Sequence, residues 1–261
     1  MKAGQTWEKF TKGKDIVTDI PVAYADTHDG GAVMDVGRGF IWSIHGQSNG
    51  GKGRTLYKLN PATKTKESFG LPFNTHGSYP VFDGKEYIYV NSSEEDSGNN
   101  QLARVHVETG KVEKLQNAPI DFQRYTNGIF RNGILYKINQ SNYLMTYDPK
   151  TNVWINNVFL VECKANMLAD VRSEDGIFLM REDSDLQLYS ISKNVIEKTF
   201  AAHGKYDLGA NANCEIVPDA DDPQNCFICS VGDERGYPPK AISLKENTWV
   251  PLPWTCDTSA G

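Results

Sequence analysis

Apolar residues along this chain come in short dense runs rather than at helical spacing. Phe40-Ile41-Trp42-Ser43-Ile44, Tyr87-Ile88-Tyr89-Val90 and Ile134-Leu135-Tyr136 are such runs, as are Ile177-Phe178-Leu179-Met180 and Cys226-Phe227-Ile228-Cys229. Runs of 4–8 apolar and aromatic residues bounded by Gly, Asn and Asp predict strands, and their density predicts cover on both faces. Each follows a turn signal: Gly37-Arg38-Gly39, Asp83-Gly84, Asn132-Gly133, Asp175-Gly176, and a longer segment from Asp219 to Gln224. Asn-Gly suits a two-residue hairpin because both turn residues need positive φ.

A third strand and its turn recur as well. Leu56 to Thr63, Ala103 to Gly110 and Leu144 to Thr151 align, with weaker copies at Leu188 to Asn194 and Ala241 to Asn247. Lys64, Gly110, Asn152, Asn194 and Asn247 mark the same point in each copy, recurring at roughly 40 to 50 residue intervals. A four-stranded meander repeated at that interval predicts an all-β fold, a β-propeller of four-stranded antiparallel blades. Five blades are expected from five inner hairpins. Six is the alternative, with residues 15–28 in an irregular blade. A β-sandwich would show no such internal period. Gln5-Thr6-Trp7 echoes Asn247-Thr248-Trp249, so residues 1–20 are expected to supply a ring-closing strand to a single domain spanning 1–261.

The clearest copy, Tyr147-Asp148-Pro149-Lys150-Thr151-Asn152-Val153-Trp154, together with Val81-Phe82 before Asp83-Gly84, resembles kelch repeats and the propeller domain of galactose oxidase. The resemblance implies architecture only. Ile44-His45-Gly46 and Val90-Asn91-Ser92 stand where the kelch second strand ends in a double glycine.

Composition narrows the functional classes. With 39% hydrophobic and 23% charged residues the chain has enough apolar surface to fold, which sets disorder aside. A formal charge of −6 argues against nucleic acid or an anionic membrane as partner. No apolar run reaches the roughly 18 residues of a membrane span, and the polar start favours a cytoplasmic location over a secreted one. The five cysteines Cys163, Cys214, Cys226, Cys229 and Cys256 read as reduced buried thiols, with a bridge from Cys214 to Cys226 or Cys229 as the alternative. Zinc is disfavoured, because Cys226 and Cys229 in one strand point to opposite faces.

In a propeller, the loops leading into the innermost strands converge on the channel mouth, which is a default binding site. Here they carry His28, Asp29, His76, Tyr125, Asn127, Asn166 and Asn211; His45 and Gln47 lie in a loop between second and third strands on the same face. Asparagine, histidine and tyrosine side chains that donate and accept hydrogen bonds suit hydroxyl-rich ligands. The expected function is therefore non-catalytic recognition of a glycan or protein segment at the channel mouth. A carbohydrate-active hydrolase or lyase using His28, Asp29, His76 and Tyr125 is one alternative; its weakness is the lack of a second inward acid, since Ser78, Asn127 and Asn166 stand where one is needed. The acidic loops Ser93 to Asn100, Arg181 to Asp185 and Gly232 to Tyr237 suggest a second alternative, a scaffold for a basic protein. No cofactor is expected; calcium or another divalent cation at these acidic loops is the exception considered. No metal ligands are assigned.

Overall fold

The computed structural model describes residues 31–44, 53–75, 77–92, 98–123, 127–141, 143–155, 165–170, 175–181, 186–200, 213–218, 226–232 and 240–251. Within them the chain is all-β, with no helix. Five four-stranded sheets are present, each an antiparallel meander in chain order. The first comprises β1 (Ala32–Asp35), β2 (Phe40–Ile44), β3 (Thr55–Asn60) and β4 (Thr65–Gly70). The second comprises β5 (Val81–Phe82), β6 (Tyr87–Asn91), β7 (Leu102–His106) and β8 (Val112–Lys114). The third is β9 (Ile129–Arg131), β10 (Ile134–Ile138), β11 (Leu144–Asp148) and β12 (Val153–Ile155). The fourth is β13 (Ala165–Asp170), β14 (Gly176–Arg181), β15 (Leu186–Ser190) and β16 (Val195–Phe200). The fifth is β17 (Asn213–Pro218), β18 (Cys226–Gly232), β19 (Lys240–Ser243) and β20 (Thr248–Pro251).

These sheets fall into two compact units. Thr18–Cys163 holds the first three, and Lys164–Gly261 lies in the other with the remaining two. In the first unit β1 adjoins β5 and β5 adjoins β9; in the second β13 adjoins β17. Within each unit, the first strand of one sheet thus neighbours the first strand of the next.

The repeat has a backbone basis. Lys64, Gly110, Asn152, Asn194 and Asn247, the five equivalent residues, all have left-handed φ, between 54° and 68°. Each closes the turn between third and fourth strands. The residue ending the third strand accepts backbone N–H groups of that turn in every sheet. Asn60 Oδ1 takes Ala62 and Thr63, His106 Nδ1 takes Glu108 and Thr109, and Asp148 Oδ1 takes Lys150. Ser190 Oγ takes Lys193 and Ser243 Oγ takes Glu246. Five copies with four different residue types do one job, since any short acceptor at that point satisfies the turn. Asn132 and Gly133 have φ of 52° and 83°, as the hairpin between β9 and β10 requires.

Two cores lie between sheets of the first unit. Trp42, Ile44, Leu56, Ile88, Val90 and Val105 pack between the first and second sheets. Tyr89, Leu102, Leu135, Met145, Tyr147 and Trp154 pack between the second and third. Alternate residues of β6 therefore serve opposite cores, and four of its five residues are buried. That is the cover on both faces that the dense apolar runs imply. Cys226 and Cys229 both lie in β18, as expected of that run.

Residues 1–20, the six-blade segment 15–28 and the turn from Asp219 to Gln224 lie outside the described residues. Among the described residues no helix is long and apolar enough to cross a membrane, and no group of histidine, cysteine or carboxylate side chains could hold a metal ion.

Candidate binding surfaces at the two ends of the sheets

An antiparallel meander sends alternate connections to opposite ends. In the first unit the short turns, from first to second and from third to fourth strand, share one end. At the other, the first strands begin and the second strands finish. This loop end is where the sequence places a site. His28, Asp29, His45, Gln47, His76, Tyr125 and Asn211 lie outside the described residues. Asn127 is half-buried just before β9. Asn166 departs from expectation. It belongs to β13, not to the loop before it, at a register shift between Ala165 and Met167. An inserted residue of this kind bends the strand and re-aims its neighbours.

What the described loop end contains is a buried polar framework. Thr75 gives both its N–H (2.8 Å) and its Oγ1–H (2.9 Å) to the carbonyl of Gly53. Ser78 Oγ donates to Asn91 Oδ1 at 3.0 Å, and Asn91 Nδ2 donates to Ser92 O at 2.8 Å. Asn74, Thr75, Ser78, Asn91 and Ser92 are all buried. Ser78 is thus a fastening of the loop before β5 and not a group facing a ligand. Asn99 Oδ1 is buried with no hydrogen-bond partner among the described residues.

Three sheets are tied together here. The Tyr79 ring lies where a side chain on Gly31 would stand, so the start of β1 needs glycine. The Tyr79 carbonyl in turn accepts Lys137 Nζ of β10 at 3.2 Å. Lys137 is 1% exposed. Burial, with no charged partner among the described residues, pulls its pKa down to about 7. A Cβ on Gly128 would lie 2.7 Å from the Lys137 chain, so that glycine makes room for it. Lys137 has a signal in the sequence: it shares the face of Leu135, two residues earlier in an apolar strand, where a lysine is out of place.

The turn end holds a groove that motif reading did not anticipate. It lies between the second and third sheets and encloses about 720 Å³, within the range of small-molecule sites. Tyr87, Tyr89 and Phe130 form its walls and Arg104 stands among them. Tyr89 and Phe130 stack at 5.3 Å. Arg104 is held on three sides: Nε donates to Glu113 Oε2 at 2.8 Å, the guanidinium lies 4.2 Å above the Tyr87 ring, and Tyr89 shares a hydrogen bond with it. Partial burial works against the arginine charge, but the bonds to Glu113 and Tyr89 outweigh it and raise its pKa. Burial pushes the Tyr89 phenol up to about 12, against the pull of Arg104, so it stays protonated at neutral pH. Lys85 and Lys150 complete the rim, both exposed and without an ion-pair partner among the described residues.

No family model matches this sequence, and no curated protein matches it. Function therefore rests on the geometry of the chain itself.

Proposed function

We propose that the five sheets are blades of a single kelch-like β-propeller, and that the chain is a non-catalytic module binding a glycan or a protein segment at the channel mouth. The repeated left-handed turns and the adjoining first strands support the blade reading. One observation carries the functional reading. Gly31, Tyr79 and Lys137, from three successive sheets, lock together at the loop end over buried, hydrogen-bonded polar groups. A framework that spends its polar groups internally fixes the strand ends from which the connecting segments leave, and a fixed base lowers the ordering cost of binding. Those segments carry His28, His45, Gln47, His76, Tyr125 and Asn127, whose side chains both donate and accept hydrogen bonds.

A glycan array and a peptide-display screen with the full chain test this. Binding that falls at least tenfold in His76→Ala and Tyr125→Ala, with melting temperature unchanged, supports the reading. Binding that survives both substitutions, or no binding on either platform, overturns it.

A further inference from the structure

The groove at the turn end gains meaning from comparison of equivalent positions along the repeat. Lys58 of β3 and Arg104 of β7 stand at the same point relative to the left-handed turn residue, and each pairs in register with a glutamate on the fourth strand, Glu67 and Glu113. Each cation also lies over the aromatic residue that begins the second strand. Lys58 Nζ is 4.2 Å from the Phe40 ring, as Arg104 is from Tyr87. Lys58 then reaches across to the second sheet and donates to Val107 O at 3.1 Å. Arg38 adds an ion pair across the same seam, with Glu108 at 3.4 Å. Between the fourth and fifth sheets Lys198 Nζ donates to Leu244 O, the equivalent carbonyl, at 3.0 Å.

The seam between the second and third sheets lacks both closures. Pro149 stands at the position of Val107 and Leu244, and its carbonyl accepts no cation among the described residues. Lys150 stands at the position of Glu108, and the turn across from it offers Lys85. Two like charges replace an ion pair, and the groove is what remains. Glu113 already offsets Arg104, and Asp83 Oδ1 is turned to the backbone N–H groups of Lys85, Glu86 and Tyr87. Lys85 and Lys150 thus line the groove with no side-chain ion pair among the described residues.

We propose that this groove is a second binding site, for a small ring-bearing carboxylate: the carboxylate takes the place of the missing acidic partner between Lys85, Lys150 and Arg104, and the ring lies against Tyr87 and Phe130. Arginine and lysine recognise carboxylates through charge-assisted hydrogen bonds, and the aromatic walls favour a flat or sugar-like face. The site lies at the opposite end of the sheets from the proposed channel-mouth surface, so the two readings stand or fall separately.

Calorimetric titration of the full chain tests it with two matched pairs, methyl glucuronide against methyl glucoside and hydroxyphenylacetate against hydroxyphenethyl alcohol. At least one acid should bind at least tenfold more tightly than its neutral counterpart, and the pair that does so identifies a sugar or an aromatic source. Lys150→Glu restores the residue type found at Glu108 and supplies a partner for Lys85; it should reduce that binding at least tenfold while the melting temperature holds or rises. Lys85→Gln, which removes charge without filling the seam, should weaken it severalfold. Equal binding of acid and neutral partner, no binding of either acid, or an affinity unchanged in Lys150→Glu would overturn the proposal.

Discussion

Phe69, on the outermost strand of the first sheet, occupies the space that any side chain on Gly110 of the second would need. Gly110 also has φ of 68°, and at the equivalent point the third and fourth sheets use asparagine, which tolerates that conformation. Two demands meet at Gly110, and only the steric one separates it from its counterparts. Gly110→Asn is therefore expected to cost about 1–3 kcal/mol through overpacking. Phe69→Ala in the same chain should remove most of that extra cost, as urea melts of the single and double variants will show.

Lys137 makes stability depend on pH. Its folded pKa is about 7, against roughly 10.4 for an unfolded lysine. Between those values the unfolded chain holds a proton that the folded chain has released. Stability from this residue thus rises with pH across the window, and the cost of burying the lysine is complete below about pH 7. Lys137→Met should stabilise the chain by about 1–3 kcal/mol near neutral pH and by little near pH 10, flattening the profile. Equal effects at both ends of the range would show that the lysine is charged and satisfied in the folded state.

Tyr147 Oη donates to Asn152 Oδ1 at 2.6 Å, and Tyr189 Oη to Asn194 Oδ1 at 2.8 Å. The asparagine therefore has two roles, tolerating left-handed φ and accepting hydrogen bonds, from the buried phenol and, at Asn152, also from Gln116 N–H at 3.1 Å. Asn152→Ala loses both and should cost about 1–3 kcal/mol, whereas Asn152→Gly keeps the conformation and should cost about 1 kcal/mol. Combined with Tyr147→Phe, the glycine variant should show a coupling of at least 0.5 kcal/mol in a double-mutant cycle, because both remove the same bond.

The seam between the first two sheets offers a contrast of charge with position. Lys58 lies over Phe40 and bonds Val107 O, while its pair with Glu67 is long, at 3.8 Å, and Glu67 is mostly exposed. Lys58→Met should destabilise by about 1–2 kcal/mol and Glu67→Gln by less than about 0.5 kcal/mol. Melting at low and high salt separates them further, since a bond to a partly buried carbonyl is screened less than an exposed ion pair.

Much of the fold was readable from local pattern because its causes are local. A run such as Tyr87 to Val90 needs cover on two faces wherever it lies, and Asn132-Gly133 needs positive φ at both positions in any hairpin. The alignment of Lys64, Gly110, Asn152, Asn194 and Asn247 picked out one turn in five sheets for the same reason: a left-handed residue there closes the turn, and glycine and asparagine adopt that conformation most readily.

The sites were less legible, because they depend on what two sheets bring to one place. Nothing around Ser78 says that it is buried against Asn91, and Asn166 reads as a loop residue until the register of β13 includes it. The same holds for Arg104 and Lys150, which lie in separate repeats and look like ordinary surface charges. Local sequence set the strands, the turns and their repetition, since those follow from the backbone preferences of neighbouring residues. Only packing decided that one seam is closed by Lys58 and Val107 while the next stays open, since that depends on which charges and carbonyls meet across sheets.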